Sequence, residues 1–168
     1  MPIVELASAD AVTGVCWVAW EFELGPDVVW TALTDPVWLR RWLGTPQGDL
    51  AAGRAVGVGD AVEIDLGGDA ATCTVRICEP GRRLLTTWTL PGEPDSLLDA
   101  VLAPTASGTR LTLTHGGLAE LAPGYAVSWH AHLVYLAGAL RGSPLALDRY
   151  ADVHERVARA YATGRRDV

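Results

Sequence analysis

From Val15 to Leu24 apolar and polar positions alternate: Cys16, Val18, Trp20, Phe22 and Leu24 share one face, and Glu21 and Glu23 fall on the other. That period of two predicts a half-buried strand. Gly25-Pro26-Asp27 breaks it, and Val28 to Leu33 predicts a short helix started by Pro26 or Asp27. Thr34-Asp35-Pro36 stops that helix and begins another, in which Leu39, Trp42 and Leu43 recur at helical spacing before Gly44. Between Thr45 and Gly59 the pattern fades into a Gly-rich stretch, read as a loop crossing the open side of a sheet and a candidate mobile lid.

After Gly59-Asp60, strand-like runs follow one another: Ala61 to Leu66, Ala71 to Glu79, Arg83 to Leu90 and Ser96 to Ala103. Gly67-Gly68-Asp69, Pro80-Gly81 and Pro91-Gly92 to Pro94 punctuate them, and Ser107-Gly108 precedes a last run, Thr109 to His115. With Val15 to Leu24 these predict a six-stranded antiparallel sheet. The period then becomes helical from Pro123 or Gly124 to Leu140, with Trp129, His132, Leu133, Leu136 and Leu140 on one stripe. Arg141-Gly142-Ser143-Pro144 ends that long helix. Tyr150, Val153, Val157 and Tyr161 mark a further amphipathic helix before the basic tail Arg165-Arg166.

A chain of 168 residues, 49% hydrophobic and 20% charged, has the size and composition of one folded domain. That domain is expected to span 1–168, with a core at about 15–141 and an extra helix and tail at 142–168. No apolar run approaches the roughly 20 residues that span a bilayer, and the start Met1-Pro2-Ile3-Val4-Glu5 lacks the basic and apolar signature of a signal peptide. A cytoplasmic protein with no membrane insertion is expected. A net charge of −7 opposes binding to phosphate backbones, so no nucleic acid is expected as a partner. Cys16, Cys73 and Cys78 are odd in number and lack CxxC spacing, which speaks against a disulfide framework and a zinc knuckle; on one strand, Cys73 and Cys78 would face opposite ways. Seven tryptophans against one Phe and one Met are the compositional anomaly. Rigid indoles can hold walls apart around a void where flexible Met would collapse into it.

The order of elements, with certain local strings, resembles the SRPBCC superfamily, also called START-like or birch-pollen-allergen-like, and within it the branch named for homologues of the activator of heat-shock-protein-90 ATPase. The strings are Val29-Trp30-Thr31-Ala32-Leu33-Thr34-Asp35-Pro36 with Trp42; Glu79-Pro80-Gly81-Arg82-Arg83-Leu84 with Thr87-Trp88; Gly108-Thr109-Arg110-Leu111-Thr112-Leu113-Thr114-His115; and Trp129 with His132-Leu133 and Leu136. The resemblance implies an α+β helix-grip fold: a curved antiparallel sheet, two short helices after the first strand, and a long C-terminal helix packed across the sheet with a pocket between them. Relatives of this kind include lipid or sterol carriers, polyketide cyclases, hormone receptors and chaperone regulators, so the fold alone does not choose a function. The chain departs from the pattern in the helix it adds after Leu140.

Within that frame, parity puts Leu111, Leu113 and His115 on the inner face of the last strand, and Leu84, Thr86 and Trp88 on the inner face of theirs. Trp20, Trp42, Trp88 and Trp129 are the candidate cavity-lining aromatics. Thr86, Leu113, His115, His132, Leu133 and Leu136 complete the ligand-binding set. His115 is the one candidate catalytic residue, as hydrogen-bond donor or general base, or else a histidine satisfied by a neighbour at a strand end. His132 opposite His115 would supply two imidazoles, but no third inward ligand accompanies them, so no metal and no cofactor are expected. His130 and His154 are assigned to solvent or a helix seam.

Three functions remain open. The first is binding of a small hydrophobic or polycyclic metabolite, lipid or polyketide-like, in natural-product biosynthesis or self-resistance by sequestration. The second is a polyketide cyclase or aromatase using His115, with Thr86. The third is a chaperone-regulating or other interaction module, in which 145–161 supplies a homodimer or protein-partner surface.

Overall fold

The computed structural model describes residues 4–164, with side chains from Ser8. The segments Met1 to Ile3 and Arg165 to Val168, including the basic tail, lie outside the described residues. Among the described residues eight strands form one antiparallel sheet: β1 (Val4–Asp10), β2 (Val15–Phe22), β3 (Thr45–Pro46), β4 (Ala61–Asp65), β5 (Ala70–Glu79), β6 (Arg83–Trp88), β7 (Ser96–Pro104) and β8 (Thr109–Gly116), ordered β1-β2-β8-β7-β6-β5-β4-β3. Between β2 and β3 stand α1 (Pro26–Thr34) and α2 (Pro36–Trp42); α3 (Gly48–Ala51) follows β3. The long helix α4 (Ala122–Leu140) and then α5 (Tyr150–Ala162) follow β8.

The sheet therefore has eight strands where the sequence predicts six. The two additions are edge strands with little local signal. The stretch VELASAD of β1 carries no strong apolar alternation, and β3 is only two residues long. A hairpin holds β1 to β2: Asp10 Oδ1 accepts from the Val12 N–H at 2.8 Å, and Gly14 closes the turn at φ +65° with its N–H on the Asp10 carbonyl. Gly14 also meets the chain leaving β8, where an added Cβ would sit 2.6 Å from the Ala119 nitrogen. The Gly-rich stretch predicted as a loop contains the single turn of α3 and the short pairing of Thr45 with Asp65.

Alternation decides the inner face. Cys16, Val18, Trp20 and Phe22 of β2, Leu111, Leu113 and His115 of β8, and Ala100 and Leu102 of β7 are buried. On the outer face Arg83 grips Asp99 with two bonds of 3.0 and 2.8 Å across β6 and β7. One irregularity overturns a parity expectation. In β5 Val75 pairs with Thr86 but Ile77 with Leu85, so Arg76 is an extra residue and a bulge. Beyond it Cys78 pairs with Leu84, on the same side as Cys73, not the opposite one.

The helix α4 packs on β1, β2 and β8 and is flanked by α2 and α5. Its small buried residues Ala122, Ala126 and Ala137 fall on one face of the helix. The apolar side of α5, Val153 and Val157, is buried within the same core. Among the described residues no helix is long and apolar enough to cross a membrane.

Candidate functional site

Two voids lie on the inner side of the sheet. The inner one, about 80 Å³, is lined by mostly apolar side chains of α1, α2, the sheet and α4, including Trp42, Thr86, Trp88, Leu113 and Trp129. That is room for a few waters or a short aliphatic group, far below the 300–1,000 Å³ or so of an ordinary ligand pocket. The outer one is a half-open cavity of about 800 Å³. Leu43 to Thr45, the β4 end Asp65 to Gly67, Trp88 with the turn to Glu93, the first half of α4, and Leu147 to His154 enclose it. Trp88, Trp129 and Leu43 belong to both linings and form the partition.

The walls of the outer cavity are aromatic. Trp88 and Trp129 meet edge to face at 5.2 Å between ring centres. Trp129 stands 5.8 Å from His132, His132 lies 4.6 Å from Tyr150 at 30°, and Tyr150 is 5.8 Å from His154. Spacing explains the α4 part: Tyr125, Ser128, Trp129 and His132 recur at steps of three and four on the stripe facing the void. Tyr150 and His154 do the same, one turn apart on α5.

The polar groups of this wall are bonded among themselves. Trp88 Nε1 donates to Tyr125 Oη at 3.2 Å, and Tyr125 Oη donates to Glu93 in a short bond. Burial first, and then that bond to Glu93, push the Tyr125 phenol well above its usual value. His132 Nδ1 donates to the Trp42 carbonyl at 2.7 Å, so its Nε2 keeps a lone pair. Desolvation lowers the His132 pKa to about 4 against the support of that bond, and nearby His154 adds to the lowering. Ser128 Oγ pairs with His154 Nε2 at 3.3 Å, and Tyr150 Oη donates to the Ser128 carbonyl at 3.4 Å.

His115 sits elsewhere. It is fully buried and lines neither cavity. Trp129 Nε1 donates to its Nδ1 at 3.0 Å, and its Nε2 lies 2.8 Å from Ser96 Oγ, which donates to the Trp88 carbonyl at 2.9 Å. This chain of donors assigns the proton to Nε2 and uses both ring nitrogens. Burial lowers the His115 pKa to about 3.

The ten side chains proposed from sequence thus divide. Trp88, Trp129 and His132 line the outer cavity; Trp42, Thr86 and Leu113, again with Trp88 and Trp129, line the inner one. Trp20, His115, Leu133 and Leu136 are buried and line neither cavity, because α4 lies directly on β2 and β8. Trp20 instead meets Phe22 and His130, whose Nδ1 pairs with Tyr161 Oη at 3.2 Å in the α5 seam. Sequence reasoning passed over Tyr125, Ser128, Glu93, Tyr150 and His154 as wall residues. Tyr125 could have been found, since it precedes Trp129 by one turn on the same stripe. Glu93 could not, because its turn reads only as punctuation. Among the described residues no group of three or more His, Cys, Asp or Glu is placed to hold a metal.

Solved structures resemble this arrangement over most of the chain. CalU16 from Micromonospora echinospora superposes with a TM-score of 0.71 at 26% identity, covering 94% of each chain. DynU16, a protein in the dynemicin biosynthetic locus, gives 0.69 at 26% identity over 78% of this chain, which spans about half (49%) of DynU16. A protein from Bordetella parapertussis gives 0.67 at 25% identity over 94% of this chain and 90% of its own. A comparison with curated proteins finds no match. The family model described as "Activator of Hsp90 ATPase homolog 1-like protein" matches residues 23–140, from the end of β2 to the end of α4. The chain belongs to that family, the branch of the SRPBCC superfamily that its sequence resembles.

Proposed function

We propose that this protein binds a small, flat, hydrophobic or polycyclic metabolite in the outer cavity, within natural-product biosynthesis or as self-resistance by sequestration. One observation carries the reading: a void of about 800 Å³ is walled by Trp88, Trp129, His132 and Tyr150 and is wide enough for a fused-ring guest. The likeness to DynU16 supports the setting. Binding needs no chemistry from the protein. His115 serves a cyclase poorly, since both its nitrogens are engaged and it faces no void; an enzymatic version would turn to His132 and His154. An interaction module is served by the outward, polar side of 145–161, because Val153 and Val157 face inward.

Titration with fused-ring aromatics, followed by NMR or native mass spectrometry, tests the proposal. Shifts should saturate at Trp88, Trp129, His132 and Tyr150. Gly124 lines the cavity, and a Cβ there meets nothing within 4 Å, so Gly124→Trp should intrude on the void and weaken binding without unfolding the chain. Unaltered binding in that variant would place the guest elsewhere, and no saturation with any aromatic or lipid would sink the container reading.

A further inference from the structure

The wall of the outer cavity is unbalanced in its hydrogen-bonding groups. Most of its donors are spent inside the protein: Trp88 Nε1 on Tyr125, the Tyr125 hydroxyl on Glu93, Trp129 Nε1 on His115, His132 Nδ1 on the Trp42 carbonyl and the Tyr150 hydroxyl on the Ser128 carbonyl, while Ser128 and His154 share one bond between two donors. What remains toward the void is mainly acceptor capacity and negative charge. His132 Nε2 keeps its lone pair. Glu93 accepts from Tyr125 through Oε2 and has a second oxygen, and Asp65 and Asp148 stand at the rim. Among the described residues no arginine lines the cavity. Arg149, next to Asp148 in the chain, is committed to Asp152 at 2.9 Å.

A guest complementary to this wall must offer a flat π-face and bring its own donors and positive charge. Aromatic faces attract cations, and a half-buried carboxylate beside them is stabilised by an ammonium far more than by a neutral group. An anionic guest would meet carboxylates without a compensating cation. We infer that the cavity selects an aromatic ligand that carries a protonated amine, with the Glu93 carboxylate as its counter-charge. The inference rests on the reading of this cavity as the binding site and narrows it to a class of guest.

Three tricyclic probes of one shape separate the two ideas: 9-anthracenemethylamine, 9-anthracenemethanol and 9-anthracenecarboxylate, titrated at pH 7.5 and followed by indole quenching. The amine should bind about tenfold tighter than the alcohol, and the carboxylate more weakly than either. Glu93→Gln keeps an acceptor for Tyr125 and removes the charge; it should bring the amine-to-alcohol ratio to near one, with thermal melts verifying the fold. Equal affinity for all three probes, or preference for the carboxylate, overturns the charge inference and leaves the container standing. A Glu93→Gln loss that falls equally on amine and alcohol overturns the role given to Glu93. Binding of none of the three overturns the aromatic container and the inference together.

Discussion

Trp129 places its indole N–H on Nδ1 of His115 at 3.0 Å, and through that bond a strand histidine holds the ring that divides the two cavities. The same histidine reaches Ser96, and Ser96 reaches the carbonyl of Trp88, the other indole of the partition. His115 is therefore a brace between β6, β7, β8 and α4, and the partition is as rigid as this chain of bonds.

Replacing His115 with Ala should leave the Trp129 N–H unpaired and a hole beside it. Stability should fall by about 2–4 kcal/mol, read from urea denaturation. Binding in the outer cavity should persist at temperatures where the variant is folded. His115→Gln, whose side-chain oxygen can accept from Trp129, should recover part of the loss. Unchanged stability together with lost binding would contradict the bracing role.

Acidification should destabilise the protein in a window set by its buried histidines. Burial lowers His115 from an ordinary 6.5 to about 3, and His130 and His132 to about 4. Between these values and 6.5 the unfolded chain binds more protons than the folded one, so stability rises with pH there. The contribution is fully present above about pH 6.5 and is lost as pH falls toward 4. Thermal melts from pH 8 to pH 4.5 should show a flat upper region and then a decline beginning near 6.5, above the range where carboxylates titrate. A midpoint constant down to pH 5 would be incompatible with neutral buried imidazoles.

The three thiols should separate by reactivity. Cys16 and Cys73 are buried, and desolvation raises them to about 11 and 12, whereas Cys78 is only half-buried with Sγ 3.5 Å from the Val56 carbonyl. In the native protein an alkylating reagent should modify Cys78 first, with Cys16 and Cys73 following only on unfolding. Peptide mapping by mass spectrometry reads the order. Early modification of Cys73 would mean that the inner cavity opens.

Much of this architecture is legible in local pattern, and the exceptions have physical causes. Period-two runs identify β2 and β4 to β8 because each buries one face and wets the other. The residues VELASAD of β1 carry no strong alternation, and β3, two residues long, is too short to leave that signature. The bulge at Arg76 is invisible because parity is counted from one end of a strand and nothing in the local residues marks the extra one.

The amino-acid sequence by itself determined the order of the main elements, the inward face of β2 and of β4 to β8 as far as the bulge in β5, and the stripe of α4 that carries Trp129 and His132, since these depend only on periodicity along the chain. Where the space lies was decided by the tertiary structure. Alternation states which way a side chain points and says nothing of how far the opposing surface stands. Only the docking of α4 on β1, β2 and β8, and the return of Leu147 to His154 along the opposite rim, turned Trp20, His115, Leu133 and Leu136 into packing and made a wall from Tyr125, Tyr150 and His154.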